Sequence, residues 1–231
     1  MLTLKDIKEH PQILEFIKQS ELSVKALGYT EHGLRHSNLV SQRSQGIAKE
    51  VGLSERGAEL AAVAGFCHDM GNFLGRSRHH YWGALLFHQI FSNQVGSSLS
   101  NKQIGFSPRD IAWVMQAISN HDKYNMKLTS PISAVVVLAD KSDVHRSRTD
   151  VRPSQRGKMD IHDRVNYATT KSEIKVDKIK KNITLSLKID VQIVPIMEYF
   201  EIFTERMIYC RKAADYLGYK FNLIINNFKL L

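Results

Sequence analysis

Along this chain the apolar positions follow two rhythms, a helical one up to about residue 168 and a strand-like one in the stretch that follows. In the first stretch Pro11 can open a helix that stops near Gly28, and a second helix spans about Gly33 to Val51 with Gly52 as its C-terminal cap. Ser54 can cap the next, which ends at His68-Asp69, where Gly71 permits the exit turn. Ser107-Pro108-Arg109-Asp110 sets a cap, a proline at the first helical position and an acid at the third, predicting a helix from Pro108 to about Asn120. Ser130-Pro131 repeats the device. It starts a helix whose Ile132, Val135, Val136 and Ala139 share one face and which ends at Asp140.

Beyond about residue 170 the segment Lys181 to Val191 alternates Ile183, Leu185, Leu187, Ile189 and Val191 with polar residues, as a half-buried strand does. A short strand is expected before it, around Lys171 to Val176. Pro195 then opens a long helix striped by Ile196, Phe200, Phe203, Met207, Cys210, Ala214 and Leu217, with Gly218 to end it, and a last strand covers about Tyr219 to Asn226. The expected fold is mainly α, a helical bundle over residues 1–168 followed by a small β-β-α-β element over residues 169–231. That element either packs on the bundle or serves dimerisation. The stripe has heptad-like spacing, but it spans only about three heptads, and one amphipathic helix lying across the small sheet explains it with less.

Composition changes this picture little: of 231 residues 43% are hydrophobic and 24% charged, ordinary for a folded protein. The start of the chain has no apolar signal region, and no segment approaches about 18 uninterrupted apolar residues, so a soluble, cytoplasmic protein without membrane contact is expected. Cys67 and Cys210 sit in apolar helical patterns and read as buried, reduced thiols. The net charge of +9, from 32 Lys and Arg against 23 Asp and Glu, favours anionic ligands but speaks to encounter rather than chemistry. Nucleic acid as a partner draws support from that charge alone.

Candidate chemistry comes from His36, the adjacent His68 and Asp69, His79, His121 and Asp140. These are nitrogen and oxygen donors with no thiolate among them, the kit of a hard-to-borderline divalent metal rather than of a structural zinc. Adjacent helical residues project about 100° apart, so His68 and Asp69 reach one site most easily at a helix terminus, where the backbone turns. Taken singly, each histidine is more often a surface or hydrogen-bonded core residue than a ligand, and an isolated His-Asp dipeptide is weak evidence, since His121-Asp122 is a second copy of it.

The ordered set is more informative. Arg35-His36-Ser37, His68-Asp69-Met70-Gly71, His79-His80-Tyr81-Trp82-Gly83-Ala84, Ala117-Ile118 leading to His121, and Ala139-Asp140, together covering about residues 30 to 148, resemble the HD-domain superfamily of metal-dependent phosphohydrolases. The resemblance implies that His36, His68, Asp69 and Asp140 hold one metal. It also implies that His79 and His121 belong to the subgroup with a pair of metals, bridged by Asp69, which orients the attacking hydroxide as the catalytic carboxylate. The same resemblance prefers His79 to His80, because His79 lies four residues before Gly83 as in related branches of that superfamily, with His80 as the alternative ligand. One or two divalent ions per chain, drawn from Fe, Mn, Co, Ni, Zn or Mg, are the implied cofactors, and the implied substrate is a small phosphoester or phosphoanhydride, nucleotides first among them. Asn72 stands where the cyclic-dinucleotide branch has a lysine, and no Gly-Tyr-Pro follows His121, which argues against cyclic di-GMP.

Substrate phosphates need cations beyond metals. After Asp140 the segment carries Lys141, His145, Arg146, Arg148, Arg152, Arg156 and Lys158, with Arg146 and Arg148 as candidate phosphate forks and a solvated basic loop as the alternative. Arg76 and Arg78 are weaker candidates. Tyr81, Trp82, Trp113 and Tyr124 flank the motif positions and could stack a nucleobase, although such spacing usually marks core. Two other activities share the ligand order: an HD-type di-iron oxygenase resembling inositol oxygenase, and a nucleotide-sensing HD module without turnover.

Overall fold

The computed structural model describes residues 3–92, 106–122, 127–149 and 159–231. Its first helices are α1 (Leu4–Lys8), α2 (Pro11–Ala26), α3 (Leu34–Glu50) and α4 (Glu55–Cys67), followed by α5 (His79–Ser92), α6 (Pro108–Asn120), α7 (Pro131–Lys141) and α8 (Ile161–Ala168). The expected punctuation operates. Ser54 accepts from the Gly57 amide, Ser107 and Asp110 form a reciprocal capping box, and Ser130 accepts from the Ser133 amide. Helix α1 is capped by Thr3 and was not legible as periodicity, because five residues make little more than one turn.

Helix α4 is the centre of the bundle. Every residue from Leu60 to Cys67 is buried, with α3, α6 and α7 packed around it. A helix apolar on all sides has no stripe to read, and the low polarity itself signals burial. The turn between α3 and α4 is short, so the two run antiparallel and the start of α3 meets the end of α4. Helices α5 and α6 pair in the same way, which brings the start of one to the end of the other.

The C-terminal part contains β1 (Thr169–Asp177), β2 (Asn182–Ile189), α9 (Ile196–Tyr216), β3 (Lys220–Ile225) and β4 (Phe228–Lys229) in a sheet of order β1-β2-β3-β4. Strands β1 and β2 form an antiparallel hairpin, β2 and β3 pair in parallel with α9 as the crossover, and β4 folds back on β3. Ile183, Leu185 and Leu187 stand beside Phe221, Leu223 and Ile225, all buried on the face under α9. The added β4 has only two, exposed residues and carries no pattern.

Helix α9 does more than cover the sheet. Its buried Tyr199, Phe203, Met207, Cys210, Ala213 and Ala214 serve the sheet and also α7, so the stripe is spent inside this chain. Body and tail share one contiguous hydrophobic cluster. Cys67 and Cys210 are buried free thiols, and burial pushes the Cys210 thiol up to about 12. Among the described residues no helix is long and apolar enough to cross a membrane.

Candidate metal centre

Helix polarity gathers the candidate donors at one end of the bundle: His36 on the first turn of α3, His68 capping α4, His79 opening α5, His121 capping α6 and Asp140 in the last turn of α7. All six residues, with Asp69, are buried. The Nε2 atoms of His36 and His68 lie 3.1 Å apart, and those of His79 and His121 lie 3.0 Å apart. Asp69 stands between the two pairs. Its Oδ2 is 3.2 Å from His68 Nε2 and 3.6 Å from His36 Nε2, while its Oδ1 is 3.2 Å from His79 Nε2 and 3.5 Å from His121 Nε2. Asp140 Oδ1 joins the first pair at 3.4 Å from His36 and 3.7 Å from His68.

The other ring nitrogens decide what these atoms are. Nδ1 of His68, His79 and His121 each donates to the backbone carbonyl three residues earlier, at 2.8, 2.7 and 2.7 Å, and His36 Nδ1 donates to Asp143 Oδ2 at 2.7 Å. With the proton held on Nδ1, every Nε2 presents a lone pair. Two lone pairs about 3 Å apart repel unless a cation lies between them, and adjacent ligands at about 2.1 Å from one ion have this spacing. The donor set therefore fits a metal. His36, His68 and Asp140, and likewise His68, Asp69 and His121, have donor atoms close enough together to hold an ion.

Electrostatics point the same way. Burial raises the Asp69 carboxyl, but His68, His121 and His79 overrule it and hold it well below the usual range. For Asp140 burial is outweighed chiefly by Lys141 and His36. Burial lowers His121 and wins, which keeps its Nε2 lone pair, whereas for His68 burial is overruled by Asp69, whose charge draws a cation, a proton or a metal, to the Nε2 side of the ring. Both carboxylates are thus charged and ready to bind a cation.

Gly71 performs a different task from the exit turn expected of it. Its φ is −89°, open to any residue, but a Cβ there would fall 2.3 Å from the His79 carbonyl oxygen and 2.4 Å from the Gly83 amide. Glycine is required because the backbone following Asp69 lies directly against the start of α5. His79 rather than His80 reaches the donors: the ring centroids of His80 and His121 are 6.3 Å apart, against 5.0 Å for His79 and His121.

Two carboxylates at the centre, Asp143 and Asp122, were not among the candidates from the sequence. Asp143 accepts from His36 and from Arg35 (2.8 Å), and the buried Arg148 braces the same loop by donating to the Asp143 and Glu31 carbonyls at 3.0 and 2.9 Å. That corrects the expectation for Arg148, whose fork is spent on backbone under His36 and is not presented to a phosphate. Asp122 Oδ2 is 3.7 Å from His79 Nε2, and Lys141 Nζ bridges Asp122 and Asp140 at 2.7 and 2.9 Å. The second His-Asp dipeptide was the signal for Asp122. Asp143 had only its position one turn past Asp140.

Arg146 is exposed, its guanidinium over the Tyr167 ring. Arg76, the weaker candidate, is nearer the centre: it donates to Asn72 Oδ1 at 2.8 Å and lies 3.9 Å from Asp69 Oδ1. Tyr81, Trp82 and Trp113 are substantially exposed rather than core, and the first two line a groove between α5 and α6 with Arg78, Met115 and Ser119. Tyr124, Arg152, Arg156 and Lys158 lie outside the described residues.

No known family model matches the chain. An uncharacterized protein of Methanocaldococcus jannaschii is 24% identical to it, over 74% of this chain and 70% of the relative.

Proposed function

We propose that this protein is a metal-dependent phosphohydrolase of the HD type, cleaving a phosphoester or phosphoanhydride, with nucleotides the favoured substrates. The observation that carries the reading is the pairwise convergence of four imidazole Nε2 atoms on the two oxygens of one carboxylate, Asp69. A carboxylate shared in this way suits two neighbouring ions. His36, His68, Asp69 and Asp140 would hold one and His79, His121 and Asp69 the other, with Asp122 as an additional oxygen beside His79. Divalent ions in such a site polarise phosphoryl oxygens and supply a water-derived nucleophile near neutral pH.

The protein's own residues do the rest. Asp69, charged and buried, orients the nucleophile. Asp143 and the three backbone carbonyls keep each histidine in its Nε2-free tautomer, so that the site is organised before substrate arrives. Lys141 offsets Asp122 and Asp140, which would otherwise repel each other and an incoming phosphate.

The test is metal analysis of chelator-free protein, followed by anaerobic assays on nucleotides and phosphate esters with Mn²⁺, Co²⁺ or Mg²⁺. We expect bound metal and release of phosphate or nucleoside monophosphate from the wild type, with both lost in Asp69→Ala. Full activity and metal content in Asp69→Ala, or iron-dependent O₂ uptake in place of hydrolysis, would overturn the reading.

A further inference from the structure

Arg76 is tied to the metal centre by its backbone and by its side chain. Two single helical turns, Asn72–Leu74 and Arg76–Arg78, meet at Gly75, whose φ of +145° suits glycine. The Arg76 carbonyl accepts the His79 Nδ1 proton at 2.7 Å. The side chain reaches back toward the preceding turn: Nη1 donates to Asn72 Oδ1 at 2.8 Å and stands 3.9 Å from Asp69 Oδ1, the oxygen that faces His79 and His121. Asn72 is itself fixed. It is buried, its Nδ2 donates to the Asp69 carbonyl at 2.9 Å, and the Tyr29 ring centroid lies 5.5 Å from the Arg76 guanidinium carbon.

This placement leaves most of the guanidinium unused. Among the described residues Nε and Nη2 of Arg76 have no acceptor, and at 3.9 Å Asp69 attracts the group without making a hydrogen bond to it. Arg35, Arg43 and Arg148, on the Asp143 side of the centre, differ: each places two nitrogens on acceptors within the fold. With its side chain 25% exposed beside a carboxylate that is 5% exposed, Arg76 stands at the rim of the donor set. Metal changes what it meets there. One or two divalent ions more than offset the charge of Asp69, so Arg76 then faces a positive centre. An anionic ligand restores the balance, and the planar fork of arginine matches two oxygens of one phosphoryl group.

We propose that Arg76 binds the phosphoryl group of the substrate at the metal centre, its Nε and Nη2 donating to two non-bridging oxygens while Asn72 and Tyr29 hold the guanidinium in place. Arg76 thus takes the part first expected of Arg148. The inference rests on the phosphohydrolase reading above and adds the protein cation that contacts the reacting group.

Metal-loaded wild type, Arg76→Met and Arg76→Lys are titrated with inorganic phosphate by calorimetry, with metal per chain measured on the same samples. Neither variant alters the carbonyl that holds His79, and methionine keeps an apolar stem beside the Tyr29 ring. We expect metal content at least equal to that of the wild type, because a positive charge 3.9 Å from a ligand oxygen opposes the ion. Phosphate affinity should weaken about 10- to 100-fold in Arg76→Met and less in Arg76→Lys, which keeps the charge without the fork. In turnover kcat/KM for a phosphate ester should fall at least as far. Unchanged phosphate affinity at equal metal content overturns the assignment and leaves Arg76 a counter-charge to Asp69, and affinity that falls only in step with lost metal overturns it too. Should Arg76→Met fail to fold, the lysine variant decides by the same criteria. The two readings fail separately. Hydrolysis by a wild type whose phosphate affinity ignores Arg76 sinks only this inference, and phosphate binding through Arg76 without hydrolysis of any ester sinks only the enzymatic one.

Discussion

Replacing Gly71 with alanine should damage the centre without touching a donor. The backbone at Gly71 is ordinary, so the new methyl group acts by collision alone. It would sit 2.3 Å from the His79 carbonyl oxygen, 2.4 Å from the Gly83 amide nitrogen and 3.0 Å from Gly83 Cα. Carbon and carbonyl oxygen come no closer than roughly 3.3 Å in favourable contacts, so the start of α5 must retreat by about 1 Å. No flexible side chain can absorb that, because both partners are backbone. Overpacking of this kind costs about 3 kcal/mol, which for a chain of this size lowers Tm by about 6–12 °C.

The same retreat carries His79 away from His121 and Asp69, now 3.0 and 3.2 Å from its Nε2. A shift of about 1 Å far exceeds the tolerance of about 0.2 Å on a ligand distance, so metal on the His79 side should be lost while His36, His68 and Asp140 keep theirs. Thermal denaturation with metal analysis measures both effects. Gly46→Ala is the matched control: that exposed position on α3 has nothing within 4 Å of a Cβ and should gain about 1 kcal/mol of helix propensity. A Gly71→Ala protein that melts with the wild type and holds as much metal would refute the packing argument.

Two further outcomes are expected. Asp143→Asn removes the charge that receives the His36 Nδ1 proton, and metal affinity should fall about 10- to 100-fold, read by competition with a chromogenic chelator. An unchanged affinity would show that Asp143 does not set the tautomer. Asp110→Ala removes the α6 capping box and the Arg56 ion pair at 2.8 Å, costing about 1–2 kcal/mol near neutral pH in urea denaturation. Burial would raise the Asp110 carboxyl, but Arg56 and the Ser107 cap overrule it and lower it from its ordinary 3.8. A folded-state value below the unfolded one makes this contribution complete above about pH 4 and lost as pH falls through the folded value, so wild type and variant should converge in acid. A gap that persists or widens there would contradict the sign.

Much of the fold was legible because its signals are local. Ser54, Ser107-Pro108 and Ser130-Pro131 announce helix starts through bonds spanning three residues, and the alternation of Ile183 to Ile189 needs only its own strand to be read. The order of His36, His68-Asp69, His79, His121 and Asp140 was equally visible as chemistry. Tertiary structure alone decided the rest. It set which nitrogen of each histidine is free, through acceptors as remote as Asp143 is from His36. It turned Gly71 from an exit-turn residue into a point of close backbone contact and spent Arg148 on two carbonyls. It also folded α9 back onto α7, so that the tail helix packs on the segment that carries Asp140. Caps and periodicity are properties of a few consecutive residues, whereas a charge acquires its partner only when packing brings distant segments into the same low-dielectric space.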